Sequence, residues 1–194
     1  MKRVFIIHGW DFNPKMNWYE SVARTLEKEG FKVEIPEMPD THSPVIREWV
    51  EKLVKIVGEV DEETYFICHS IGCKAVMKYL EGEVADGDVC GGVIFVGGWF
   101  SLSKEATPEP QMKLTAKPWL EMKTNFEKIK TRAKKFVAIF SDNDPYVPMN
   151  NVTLYQSNLD SEIIMLSGMG HFDEETASTK ELPIVVELLK KMSK

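Results

Sequence analysis

Tyr65-Phe66-Ile67-Cys68-His69-Ser70-Ile71-Gly72 is the stretch on which the reading of this sequence turns. Tyr65 to Cys68 is a short apolar run with aromatic and β-branched members, which predicts a buried strand. Directly after it, Val76, Tyr79 and Leu80 recur at helical spacing up to Gly82. A strand therefore runs into a helix, and Ser70 stands at the turn between them. A sharp strand-to-helix turn lifts a serine hydroxyl above the end of a sheet, provided that small residues flank it. Gly72 supplies one small position, and Cys68 stands at the other, where glycine is usual. The pentapeptide by itself also fits a serine that only caps a helix.

The same alternation extends in both directions. Val4 to Ile7 predicts a first buried strand that ends in His8-Gly9, and Phe31 to Ile35 a second, closed by Pro36 and Pro39. Between them Trp18, Val22, Ala23 and Leu26 keep helical spacing. Val45, Ile46, Trp49, Val50, Leu53, Val54 and Val57 mark an amphipathic helix, with Pro44 just inside its start and Ser43 as N-cap. Gly92 to Val96, Phe136 to Phe140 and Glu162 to Leu166 predict three further strands, and Leu182 to Met192 a closing helix. Short strands alternating with helices imply an α/β fold with a mostly parallel sheet of about six strands, covered by helices on both faces.

One segment breaks the rhythm. Residues 101–118 carry Pro108, Pro110 and Pro118 with no sustained period, so no helix or central strand is expected there. Trp99, Phe100 and Trp119 bracket it, and a long excursion of this kind reads as a surface loop or as a small lid over a site. No repeat or linker divides the rest, so residues 1–194 are expected to form one domain.

Composition narrows the class of function. The chain has 194 residues, 43% hydrophobic and 28% charged, as in ordinary globular proteins. A net charge of −6 in short mixed runs argues against a nucleic-acid partner or an anionic membrane surface. Cys68, Cys73 and Cys90 cannot all pair within one chain and lack metal-site spacing. They read as small buried hydrophobes of a reducing compartment, which together with the short apolar run at the start points to the cytoplasm. No stretch reaches membrane-spanning length, and no Gly-rich phosphate loop or ligand cluster calls for a cofactor or metal.

A serine nucleophile needs a base, and the base needs an acid to orient it. Past Ser70 the chain has one histidine, His171, in Gly168-Met169-Gly170-His171-Phe172 after the sixth predicted strand. The acid falls in Ser141-Asp142-Asn143-Asp144-Pro145, where Asp142 and Asp144 are both candidates. Asp144 is preferred, because Pro145 biases it to extended geometry, while Asp142 and Asn143 suit turn formation. The oxyanion donors expected are the backbone amides of Ile71, which opens the helix, and Trp10, in the loop after the first strand. His8, His42 and His69 read as structural. Trp99, Phe100 and Trp119, with Met112 or Met122, are the candidates for an apolar pocket.

His8-Gly9, His69-Ser70-Ile71-Gly72, Asp142-Asn143-Asp144-Pro145 and Gly170-His171-Phe172 together resemble the YdeN-like serine hydrolases, the group that includes retinoblastoma-binding protein 9. Met38-Pro39-Asp40, Lys117-Pro118-Trp119 and Glu127-Lys128-Ile129-Lys130 are also similar to segments of that family. The resemblance runs from the first strand to the last helix. It implies a compact α/β-hydrolase fold that lacks the first two strands, with Ser70, Asp144 and His171 matching the family's triad. Cys68 departs from the usual glycine. The Leu-x-Cys-x-Glu signature of retinoblastoma binding is absent, so that partner does not carry over. The expected activity is transfer of an acyl group from a small-molecule ester to water. A thioester or amide substrate, or a binding protein on the same scaffold, is the alternative.

Overall fold

A computed structural model describes residues 1–194. Six parallel strands build one sheet: β1 (Arg3–Ile7), β2 (Lys32–Glu34), β3 (Thr64–His69), β4 (Gly92–Val96), β5 (Phe136–Ser141) and β6 (Glu162–Leu166). Their order is β2-β1-β3-β4-β5-β6. Alternate residues feed opposite faces, as the strand repeat of two requires. Phe5 and Ile7 of β1 enter a cluster of 30 buried residues, whereas Val4 and Ile6 enter a second of 20.

Helices α1 (Tyr19–Lys28) and α8 (Pro183–Met192) cover the smaller cluster. Helices α2 (Ile46–Val57), α3 (Ile71–Gly82), α4 (Pro110–Leu120), α5 (Phe126–Lys130) and α6 (Asn150–Leu159) contribute to the larger one. A single turn, α7 (Glu174–Ala177), follows β6. The architecture is the α/β fold implied by the alternating pattern, and all six strands coincide with predicted ones to within two residues at each end. No helix is long and apolar enough to cross a membrane.

The strand order places the site. From β1 the chain crosses to β2 on one side, then returns past β1 to β3 on the other. Ligands of open parallel sheets bind beyond the carboxyl ends of the strands at such a reversal. Here those ends are Ile7-His8-Gly9-Trp10 and His69-Ser70.

Two local expectations are corrected, and one helix is added. Helix α2 begins at Ile46 with Val45 as its N-cap, and Ser43 does not cap it. Instead the Ser43 amide closes a turn on Asp40, and the Pro44 carbonyl accepts from the Trp119 indole at 2.8 Å. Residues 101–118 are not irregular throughout, because α4 occupies Pro110–Leu120. Pro110 stands at the helix start, where a missing N–H costs nothing, and Pro118 lies in the last turns. Helix α6 is an addition. Its buried stripe is Asn151, Tyr155 and Leu159, and the polar Asn151 breaks the apolar period that would have announced it.

Candidate active site

Ser70 sits at the turn between β3 and α3 with φ 52° and ψ −122°. This backbone is disfavoured for a residue with a Cβ and costs about 1–3 kcal/mol, so the surroundings must hold it. The Ser70 amide donates to Val96 O of β4 at 2.9 Å, and its carbonyl accepts from the Cys73 amide at 3.0 Å. Gly72 permits the turn in a specific way. A Cβ there would lie 2.6 Å from Ile7 O and 2.7 Å from His8 O, so α3 can start this close to β1 only with glycine. Cys68, at the other flanking position, is fully buried in the larger cluster, and its carbonyl accepts from the Cys73 thiol at 3.3 Å. A small thiol is accommodated there without opening the turn.

The loop after β6 delivers His171. Gly170 has φ 51°, and a Cβ on it would collide with Thr176 Oγ1 at 2.4 Å. Thr176 Oγ1 accepts from the His171 amide at 2.7 Å, and Asp173 both holds that hydroxyl and caps α7. Trp18 Nε1 donates to Phe172 O at 3.0 Å. His69 Nε2 donates to the His171 carbonyl at 2.8 Å, while His69 Nδ1 accepts from the Tyr19 hydroxyl at 2.6 Å. Burial holds the His69 pKa well below the ordinary histidine range, with a further push from His171, so this ring stays neutral. His69 thus fastens the His171 loop to the turn that carries Ser70. Its structural role is the one expected from the sequence, but nothing in the sequence points to this tie.

The loop after β5 delivers Asp144. Its Oδ2 lies 2.8 Å from His171 Nδ1, and both side chains are almost fully buried. Its Oδ1 accepts from the amides of Tyr146 at 2.8 Å and Val147 at 3.0 Å. Asp142 points elsewhere: Oδ2 accepts from Ser167 Oγ at 2.7 Å and Oδ1 from the Gly168 amide at 2.9 Å. These two bonds hold its carboxyl below the ordinary range. Asn143 Oδ1 accepts from Ser141 Oγ and from the Gly170 amide, both at 2.8 Å. The two adjacent residues therefore clamp the β6 loop, and Asp144 alone meets the imidazole.

Ser70, His171, Trp10 and Trp99 border one cavity of about 280 Å³. Trp99 Nε1 donates to Ser70 Oγ at 3.4 Å. A Cβ on Gly9 would come within 3.2 Å of Ser70 Cβ, so the loop carrying Trp10 runs directly beside the serine. Neither the Ile71 nor the Trp10 amide donates a hydrogen bond within the chain, although Trp10 Nε1 binds His42 O. Leu102, Ala106, Pro108 and Met112 form part of the wall, so residues 101–118 do border the cavity.

Two of the proposed pocket residues lie elsewhere. Trp119 is fully buried, packs edge-on against Trp49 and donates to Pro44 O. It anchors α4 to α2. Phe100 packs against Phe126 and Tyr155 and is not among the residues that line the cavity. Met112 is the methionine at the cavity, and Met122 is not among its lining residues. The three cysteines are free and buried.

The comparisons with known proteins agree with this architecture. The family model described as serine hydrolase matches residues 4–191. YdeN of Bacillus subtilis (strain 168) is 28% identical over 188 residues, spanning 97% of this chain and 94% of YdeN. Serine hydrolase RBBP9 of Rattus norvegicus is 26% identical over 156 residues, 80% of this chain and 77% of that protein. The crystal structure of the ydeN gene product from B. subtilis superposes with a TM-score of 0.88, covering 99% of this chain and 98% of that one. Est1E from Butyrivibrio proteoclasticus, solved with ferulic acid bound, shares the fold at a TM-score of 0.71 and 15% identity, covering 98% of this chain and 87% of Est1E. With the fold, the strand-end cavity and a family match across nearly its whole length, this chain belongs to the serine hydrolase family.

Proposed function

We propose that the protein is a carboxylesterase-like serine hydrolase that cleaves a small acyl ester through Ser70, His171 and Asp144. The observation that carries this reading is the 2.8 Å contact between Asp144 Oδ2 and His171 Nδ1, with the same imidazole bordering the cavity that holds Ser70. An aspartate on Nδ1 keeps the proton there, so Nε2 is the basic nitrogen available to the cavity. His171 Nε2 has no hydrogen bond within the chain.

In the first half-reaction Ser70 Oγ attacks the ester carbonyl and its proton passes to His171 Nε2. The carbonyl π-bond opens to an oxyanion, which the free amides of Ile71 and Trp10 receive. Collapse of the tetrahedral intermediate breaks the bond to the alkoxide, which leaves with the proton from His171. Water then attacks the acyl-enzyme by the same route, releasing the acid and restoring Ser70. Asp144 stabilises the imidazolium in both halves without itself taking the proton.

The cavity suits a neutral acyl group. Trp99, Leu102, Pro108 and Met112 offer apolar contact, and residues 101–118 act as a small lid over Ser70. Asp11, Glu105, Asp173 and Glu175 also border the cavity, while no lysine or arginine does, so an anionic acyl group is disfavoured.

Turnover of p-nitrophenyl esters with acyl chains of increasing length tests the reading. The expected result is hydrolysis by the wild-type protein and its loss in a folded Ser70→Ala variant. Equal turnover by both proteins would overturn it.

A further inference from the structure

Lys74 is the least expected residue of the core. It lies on α3 one turn past Ser70, it is 1% exposed, and it ranks among the largest fully buried side chains. No carboxylate or hydrogen-bond acceptor partners its ammonium. Instead Nζ stands 5.1 Å from the centre of the Phe100 ring and 5.6 Å from that of Trp99. An ammonium buried without a counter-ion is unfavourable, and an unbranched apolar side chain would fill the same space without that cost. Burial alone draws its pKa down to about 8, so near neutral pH the amine is still largely charged.

Trp99 connects this charge to the active site. Its indole borders the cavity, Lys74 does not, and Nε1 donates to Ser70 Oγ at 3.4 Å. An indole N–H can only donate, so it occupies one lone pair of the hydroxyl oxygen. The hydroxyl must then aim its own hydrogen at a different acceptor, and His171 borders the same cavity. A cation over an aromatic face is attracted by the ring and holds it in place.

We propose that Lys74 is a positioning residue for Ser70, acting through Trp99: its ammonium pins the indole, and the indole N–H restrains the serine hydroxyl at the cavity. The proposal rests on Ser70 being the nucleophile. It assigns Phe100 a part as well, as the second ring that holds the ammonium.

The test compares wild type, Lys74→Met, Lys74→Arg, Trp99→Phe and the Lys74→Met/Trp99→Phe double variant. For each, kcat and KM on a p-nitrophenyl ester, the rate of fluorophosphonate labelling and Tm are measured. Lys74→Met should lower kcat and the labelling rate about tenfold, the scale of a misplaced reacting group, with KM little changed and Tm equal or higher. Lys74→Arg, which keeps a cation over the rings, should recover part of the loss. The double variant should be no slower than Trp99→Phe alone, because both changes remove one interaction. Should Lys74→Met not fold, Lys74→Gln takes its place with the same expectation for kcat. Wild-type kcat and labelling in a folded, uncharged variant would overturn the proposal while leaving Ser70 as the nucleophile. A wild-type protein that the probe does not label would overturn both.

Discussion

Asp144 is bound on both of its oxygens: Oδ2 meets His171 Nδ1 at 2.8 Å, and Oδ1 is held by the amides of Tyr146 and Val147. The carboxylate cannot rotate away without breaking the second pair of bonds, so the loop after β5 imposes its direction. Asp142, two residues earlier, has the opposite assignment and ties down Ser167 and Gly168. The two aspartates therefore predict different kinetic penalties. Asp144→Asn should lower kcat by roughly 10³ to 10⁴, because an amide no longer holds the imidazole in its working tautomer. Asp142→Asn should cost about tenfold or less, as expected for a disturbed loop that still carries the base. Steady-state kinetics of the two purified variants check this, and the reverse ranking would reassign the acid.

The turn beneath Ser70 predicts a loss of stability when its glycine is replaced. Gly72→Ala places a methyl group 2.6 Å and 2.7 Å from two carbonyl oxygens at the end of β1. Backbone cannot yield as a flexible side chain can, so α3 must move off β1. The change should destabilise the protein by roughly 1–3 kcal/mol, the usual cost of overpacking. Chemical denaturation of the variant measures it, and an unchanged midpoint would show that the two elements are not so tightly apposed.

Lys74 predicts a pH dependence of stability whose sign follows from its burial. Its amine titrates near pH 8 in the folded chain, against an ordinary value of 10.5. Below pH 8 both states carry the proton, and the full cost of burying the ammonium is present. Between pH 8 and 10.5 the unfolded chain binds more protons, so folding becomes more favourable as the amine is released. The stability of wild type relative to Lys74→Met should therefore rise across this interval, by about 3 kcal/mol in all. Denaturation of the pair at several pH values measures the difference and cancels the titration of the tyrosines and cysteines common to both. A constant difference would mean that the amine is not desolvated.

The wall that residues 101–118 lend to the cavity predicts a change in selectivity. Met112 of α4 and Leu102 border the cavity, while Trp119 fastens α4 to Pro44 and Trp49. Met112→Ala should enlarge the acyl side and shift relative kcat/KM toward longer esters. Each added methylene in an apolar pocket is worth about 1–3 kcal/mol, so tenfold shifts across a series are expected. An unchanged chain-length profile would make this face of the cavity a bystander.

These residues also show which parts of the molecule were legible in its sequence. Strands buried on both faces announce themselves as continuous apolar runs, and β3, β4 and β5 are buried at every position. The turn at Ser70 was readable because its glycine is a steric requirement imposed by neighbouring backbone. The pairing of His171 with Asp144 was anticipated because one is the sole histidine past Ser70 and Pro145 singles out the other. What stayed hidden depends on tertiary partners. The prolines at 110 and 118 suggested no helix, yet one starts α4 and the other is tolerated near its end. Trp119 reads equally well as pocket or anchor until Pro44 and Trp49 are seen beside it. Asn151 interrupts the stripe of α6 because its amide is spent on the backbone of Phe100 and Ser101. Lys74, a charge on a core face, gives no sign in the sequence that two aromatic rings await it.

Covalent labelling reports on the nucleophile itself, proposed to be Ser70. The folded protein is treated with a fluorophosphonate at neutral pH, digested, and the adduct located by mass spectrometry. One stoichiometric adduct is expected, on Ser70, lost in Ser70→Ala and strongly slowed in a His171→Ala variant. An adduct on another residue, or none on well-folded protein, would contradict it.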